Sequence, residues 1–282
     1  MKLEFEVPAI AAALFAALVW LAAGAARWAR GPRAQPEALA FLRLVWPLVA
    51  GGLAVAFVAG WALQESDPSD EFISASIMVV ALGAGLVALR AASRAWIALR
   101  RASHLQPPIA TVGLLRCRTT VSEAFRSSAA PEVLAAALAH EAAHATGRDP
   151  LRILFAGVAA DLQWPVPGAR ARLKDWHHAL EVRRDDEAVA SGASPSALAE
   201  SIVLAARLTG GVGAVGAAVT GDGSGIALRV RRLLARQQTG PLASERSSSR
   251  VWVAVTVAAL VAVWAGYCFG DPLLTLLPGV GR

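Results

Sequence analysis

The sequence predicts a mainly α-helical membrane protein, with four transmembrane helices and one compact domain, containing a short strand element, set between the third and the fourth. Three observations predict it. Apolar residues fill 56% of the 282 positions and the mean hydropathy is +0.50, above an ordinary soluble composition. Four stretches, 8–26, 44–63, 72–89 and 251–270, carry no charged side chain, and each is long enough as a helix to cross a hydrocarbon core of roughly 30 Å. Between the last two lies a more polar segment that Pro, Gly and Ser divide into pieces of helical length.

Stretch 8–26 reads as a retained helix. Its leading residues, MKLEFE, are not net basic, and the apolar run exceeds the roughly 7–15 residues of a signal peptide core. Stretch 72–89, with Ser74 and Ser76, is the weakest of the four. Arginine then orients the set, because Lys and Arg stay on the cytoplasmic side while acids contribute little. Arg27, Arg30, Arg33 and Arg43 lie between the first two stretches, the acidic QESDPSDE between the second and third, and Arg90, Arg94, Arg100 and Arg101 after the third. The N-terminus is expected outside the plasma (inner) membrane. The domains are expected as a membrane region at 1–104, a cytosolic domain at 105–250, and a fourth membrane helix with a short tail at 251–282.

A net charge of +6 invites a nucleic-acid reading, but the arginines cluster beside apolar stretches instead of interleaving with aromatics along one face. Contact with anionic lipid is the simpler account, and no direct nucleic-acid binding is expected. Cys117 and Cys268 support neither a disulfide framework nor a cysteine-based metal site, and read as packing residues.

Within 105–250, the run IATVGLLRCRTTVSEAF mixes β-branched and alternating polar residues and reads as a strand. Ser127 or Ser128, then Pro131 and Glu132, start a helix that Gly147 stops. A second helix runs from Asp149 to about Asp161, WPVPG at 164–168 breaks the chain, and a third runs to Gly192. Ser194 and Pro195 open a fourth. The glycine-rich stretch 210–225 reads as a loop, followed by a short basic amphipathic helix, IALRVRRLLARQ, and a polar linker.

The first of these cytosolic helices carries His140-Glu141-Ala142-Ala143-His144. Residues four apart share one helix face, so both imidazoles can ligate one Zn²⁺ at roughly 2.0–2.1 Å. Glu141 projects beside them, where it can take a proton from a water that the cation polarises; it is the candidate general base. An Ala-rich helix spending two of the chain's five histidines on one face favours this reading over two satisfied core histidines.

A third ligand has to come from elsewhere. Glu181 and Asp185, one turn apart in LEVRRDDEAV, can serve as a metal carboxylate and as a carboxylate that orients a ligand histidine. Asp161, Asp186 and Glu187 remain chemically able. His177, four residues before Glu181, is a candidate alternative ligand or oxyanion donor. His104 reads as an interfacial side chain, Asp149 as a helix cap, and Arg183 to Asp186 as a solvated face with salt bridges.

Four segments in order, GLLRCRTTVSEAF, LAHEAAHATGRD, LQWPVPGA and LEVRRDDEAVASG, resemble the BlaR/MecR-type antirepressor membrane metallopeptidases and, more distantly, the Ste24/HtpX-type membrane metallopeptidases. The resemblance covers about 107–209. It implies a gluzincin-like HExxH domain with His140, His144 and Glu181 as zinc ligands, Glu141 as catalytic base and Asp185 behind a ligand. It also implies a cytosolic zinc domain between a third and a fourth membrane helix, and substrate bound by strand addition along GLLRCRTTVSEAF. Two departures stand out. Arg184 stands where the family usually has a small residue before the aspartate, and the antibiotic-sensing role of family members with an extracellular penicillin-binding domain is not expected here.

The implied activity is zinc-dependent endopeptidase hydrolysis on the cytosolic side, in regulated proteolysis of a protein such as a transcriptional repressor. Quality control of membrane proteins is the alternative with the same chemistry. An inactive membrane scaffold is the alternative from another class.

Overall fold

A computed structural model describes residues 36–49, 75–104, 106–165, 168–209, 224–239 and 264, and these are mainly helical with one small sheet. Stretches 8–26 and 251–270, most of 44–63, most of the glycine-rich stretch 210–225, the polar linker and Cys268 lie outside the described residues, with Trp264 alone described between 251 and 270. The elements are helix α1 (37–49), α2 (Ala75–His104), β1 (Ile109–Val112), β2 (Arg118–Val121), α3 (Glu123–Ser128), α4 (Pro131–Gly147), α5 (Asp149–Leu162), α6 (Ala169–Ala190), α7 (Pro195–Leu208) and α8 (Ser224–Thr239).

Local chemistry sets most boundaries. Pro131, Pro150 and Pro195 fall in the first turns of α4, α5 and α7, where no amide donor is needed. The Ser122 hydroxyl accepts from the Phe125 amide and caps α3. Between α4 and α5, Arg148 takes a left-handed conformation, with φ of 51°, so one residue joins the two helices.

Several expectations change. The expected single strand is an antiparallel hairpin, Ile109 opposite Val121 and Val112 opposite Arg118. Gly113 makes the turn: its φ is +96°, and a Cβ there would meet the Arg116 carbonyl oxygen at 2.4 Å. The third apolar stretch does not end at 89, because α2 continues unbroken through Arg90, Arg94, Arg100 and Arg101 to His104. Good helix formers fill that run, and nothing in it breaks a helix. Among the described residues one stretch, Leu82–Ala102, is long and apolar enough to cross a membrane, with a mean hydropathy of 1.3. At the other end of the glycine-rich stretch, Ser224 and Gly225 already belong to α8.

The boundary at 105 also shifts in meaning. Residues of α1, assigned by sequence to the membrane region, join the domain's core: Ala40 and Leu44 pack with Ala156, Ala160, Leu173, Trp176 and Leu180. Trp176 is fully buried, its ring 5.5 Å from that of Phe41, and its indole N–H donates to Glu37 Oε1 at 2.6 Å. Truncating a buried aromatic of this kind typically costs about 3–5 kcal/mol. Glu37 also receives Arg152 and Arg183, at 2.5 and 3.0 Å, so α1 is tied to α5 and α6 by charge as well as by packing. A second cluster joins Val133 and Ala136 of α4, Ala188 of α6, Leu198 of α7 and Leu233 of α8. The second cluster fixes α4 against α6, the first fixes α6 against α1 and α5, and the candidate site residues lie between α4 and α6.

Candidate metal centre

His140 and His144 leave the same face of α4 and are 8% exposed. Their Nε2 atoms are 3.0 Å apart, and each lies 3.6 Å from an oxygen of Glu181, which α6 presents across the gap. Donors held at roughly 2.0–2.1 Å in a tetrahedron are about 3.4 Å from one another, so this spacing suits one Zn²⁺. These three side chains form the one group among the described residues whose donor atoms can hold a metal ion.

The other ring nitrogens are backed by buried acids. His140 Nδ1 is 3.0 Å from Asp185 Oδ1, and His144 Nδ1 is 2.8 Å from Asp149 Oδ2. The Asp149 carboxylate is hydrogen-bonded to His144 Nδ1 and fixes that ring's orientation and tautomer, Asp185 stands as an ion-pair partner beside His140, and the two Nε2 atoms lie close together. Burial disfavours a charged His140, yet the nearby Asp185 and Glu181 outweigh it and push its pKa up to about 9. Glu181 is held well below the usual carboxylate range: burial opposes this, and Arg229 and the two histidines prevail.

A site that stabilises a cation this strongly has a signed pH dependence. Without metal, His140 keeps its proton up to about pH 9, and zinc has to displace it, so affinity is expected to rise up to about tenfold per pH unit between 6.5 and 8.5. Competition with a chelating dye, corrected for the dye's own protonation, measures this, and a flat profile would refute it. The stability of the metal-free fold runs the other way. The raised pKa contributes fully below 6.5 and is lost as pH rises through about 9.

Glu141 is 9% exposed, and its backbone carbonyl accepts the Thr111 hydroxyl of β1 at 2.8 Å. The hairpin is thereby pinned to α4 at the residue beside the first ligand. The structure brings the sequence candidates His140, His144, Glu181 and Asp185 together, with Glu141 next to the first of them on α4. His177, a candidate by sequence, is not one of the three converging donors; its ring packs against Trp176, at 5.1 Å. Its neighbour His178 instead lies in the field of Arg229, Glu181 and Asp185, and burial followed by Arg229 lowers its pKa.

The other candidate acids are committed elsewhere. Asp161 meets Arg90, Arg94 and Arg170, Asp186 meets Arg232 and Arg236, and Glu187 meets Arg183 and Arg184. The run Arg183 to Asp186 carries the expected salt bridges, with Arg183 and Asp186 part-exposed, but its two central residues are not solvated. Arg184 and Asp185 are 3% and 1% exposed, because α6 is covered on that side by α4, α5 and α8.

Asp149, Arg184 and Arg229 were missed in these roles. Asp149 makes no side-chain cap. It is fully buried and receives, besides His144, Arg184 Nε and Nη2 at 2.5 and 2.7 Å and Arg152 Nη1 at 3.0 Å. Gly147 makes room: a Cβ there would stand 1.9 Å from Arg184 Nη2. Arg184, the departure from the family pattern, therefore comes with its own acid and its own glycine. Arg229 of α8 lies 2.6 Å from Glu181 Oε2 and donates to both oxygens of Asp185, at 2.7 and 2.8 Å. The one available signal was the positive charge of IALRVRRLLARQ, which needed an acidic partner.

No protein-family model matches the chain, and no curated protein or solved structure matches it significantly.

Proposed function

We propose that the chain is a membrane zinc metalloendopeptidase of the BlaR/MecR type, hydrolysing peptide bonds of a protein substrate on the cytosolic side in regulated proteolysis, for example of a transcriptional repressor. The observation that carries the reading is the convergence of His140 Nε2, His144 Nε2 and Glu181 on one point, each imidazole backed by a buried carboxylate, with Glu141 beside them. A structural pair of histidines has no use for a third buried ligand and two orienting acids.

Zn²⁺, held by His140, His144 and Glu181, would supply Lewis acidity to the scissile carbonyl and to water. The chain's own residues do the rest. Glu141 accepts a proton from the attacking water as its oxygen bonds to the carbonyl carbon, and returns that proton to the departing amine as the C–N bond breaks. Arg229, joined to Glu181 and Asp185, keeps both carboxylates ionised and aimed. The hairpin, fixed to α4 through Thr111, offers an outer strand edge on which an extended substrate can add. Four membrane helices, with the N-terminus outside, complete the proposed topology. Its support is the charge-free stretches and the arginine distribution.

The test is mass spectrometry of newly formed protein N-termini in host cells carrying wild type or Glu141→Ala at matched levels. A few wild-type-only cuts in a cytosolic regulator are the expected result. Many cuts near membrane segments would point to quality control, and no difference under several stresses would point to a scaffold.

A further inference from the structure

We propose that Arg90, Arg94 and Arg170, gathered on Asp161 where α2 meets α5, bind the phosphate headgroup of an anionic bilayer lipid. The inference rests on the membrane reading above and adds to it one defined lipid contact. Asp161 is nearly buried, and its Oδ1 takes all three arginines: Arg90 Nη1 at 3.2 Å, Arg94 Nε at 3.1 Å and Arg170 Nη2 at 2.5 Å. Three positive charges face one negative charge, which leaves a surplus of two. One arginine would suffice to pair the carboxylate, and three guanidinium groups on one oxygen repel each other unless a further anion joins them. Each guanidinium carries five N–H donors, far more than one carboxylate oxygen uses. The Arg94 and Arg170 side chains are 51% and 52% exposed, so their remaining donors are open to a ligand. A phosphate diester presents anionic oxygens that suit such a fork.

The position along α2 selects the source of the phosphate. Leu82, Leu86 and Leu89 stand exposed at helical spacing on one stripe, and this apolar half of α2 gives way at Arg90 to Arg94, Trp96, Arg100 and Arg101. Arg90 lies over the half-exposed Trp164 ring, 5.4 Å from its centre, and Arg100 lies over Trp96 at 4.8 Å. Arginine with tryptophan directly below an apolar helix face is the composition of the headgroup layer, where each basic side chain adds attraction to anionic lipid. Asp161 ends α5, whose first residue, Asp149, orients His144. A lipid held there would thus sit on the helix that supports a metal ligand.

Native mass spectrometry of the detergent-solubilised full chain, with phosphatidylglycerol or phosphatidylcholine added at equal concentration, tests the site. Wild type is expected to retain phosphatidylglycerol preferentially. Arg94→Gln/Arg170→Gln is expected to retain it roughly 25-fold less, at about fivefold per arginine near a membrane surface, and Arg94→Lys/Arg170→Lys to recover most of it. Arg118→Gln/Arg126→Gln, the same charge change on exposed residues of β2 and α3, is expected to behave as wild type. Equal retention of phosphatidylcholine, the same loss in the control pair, or displacement of the lipid by millimolar inorganic phosphate would overturn the proposal. Failure of the membrane reading is seen separately, as release of the chain from membranes by alkaline carbonate.

Discussion

Purified Glu141→Gln is expected to bind zinc with wild-type stoichiometry and to cleave a peptide about 10²–10⁴-fold more slowly in single turnover, the range a positioned acid–base group supplies. Glutamine matches glutamate in shape and removes only the ability to take a proton from water. The donors His140, His144 and Glu181 do not include residue 141, and the Thr111 bond to α4 is made to its backbone carbonyl, so neither the metal site nor the hairpin depends on the altered side chain. Arg229, whose charge also feels Glu141, keeps Glu181 and Asp185 as partners. A peptide spanning a cleavage found in cells, with zinc measured in the same preparations, makes the comparison. Unchanged cleavage would remove Glu141 from the mechanism. Equal loss of zinc and cleavage would instead make residue 141 part of the metal's support.

What could be read in advance divides by distance along the chain. The spacing of His140 and His144, and of Glu181 and Asp185, is a property of one helix turn, and the helices α4, α5, α6 and α7 announce themselves through Pro, Gly and Ser at their ends. Partnerships made across 35 to 146 residues carry no local signature. Asp149 with Arg184, Asp185 with Arg229, and Glu37 with Arg183 are matched only when the fold brings them together. His177 stands outside the three converging donors for a related reason. Helical spacing puts His177 and His178 on either edge of the Glu181 face, and packing against Trp176 decides for His177. The hairpin was half legible, since the β-branched residues were seen and the turn at Gly113 was not. The salt bridges of the run Arg183 to Asp186 were legible, but the burial of Arg184 and Asp185 was not, because burial of a charge depends on a partner that α5 or α8 supplies.

These charge pairs give α6 two functions at once. Successive residues of RRDD point to different neighbours: Arg183 to Glu37 of α1, Arg184 to Asp149 of α5, Asp185 to His140 and Arg229, and Asp186 to Arg232 and Arg236 of α8. Four successive side chains therefore fix α6, and with it Glu181, against helices on several sides. Buried ion pairs of this kind contribute little net stability when compared with apolar packing, but they tolerate the loss of one partner poorly. That intolerance suits the proposed metal site, because it holds Glu181 in one position.

The Asp149–Arg184 pair is where that intolerance should be greatest. Asp149→Ala is expected to destabilise the metal-free protein by about 3–5 kcal/mol, because the buried Arg184 side chain loses its bidentate carboxylate and keeps only Glu187. It is also expected to weaken zinc binding by about 10–100-fold, the usual cost of removing an acid behind a ligand histidine. The sign of the pKa shift agrees. Burial would raise Asp149, yet His144 and Arg184 hold it far below the ordinary carboxylate range, so its stabilisation is present above the unfolded pKa near 3.8 and fades only in stronger acid. Two further variants separate the effects. Asp149→Ala/Arg184→Met removes the stranded charge and is expected to regain part of the stability while leaving zinc affinity low. Asp149→Asn, which can still accept from His144, is expected to lose less affinity than alanine. Thermal unfolding in chelator and zinc competition titrations read the two quantities independently. If Asp149→Ala kept wild-type zinc affinity, His144 would be oriented by α4 alone and Asp149 would be only the counter-ion of Arg184.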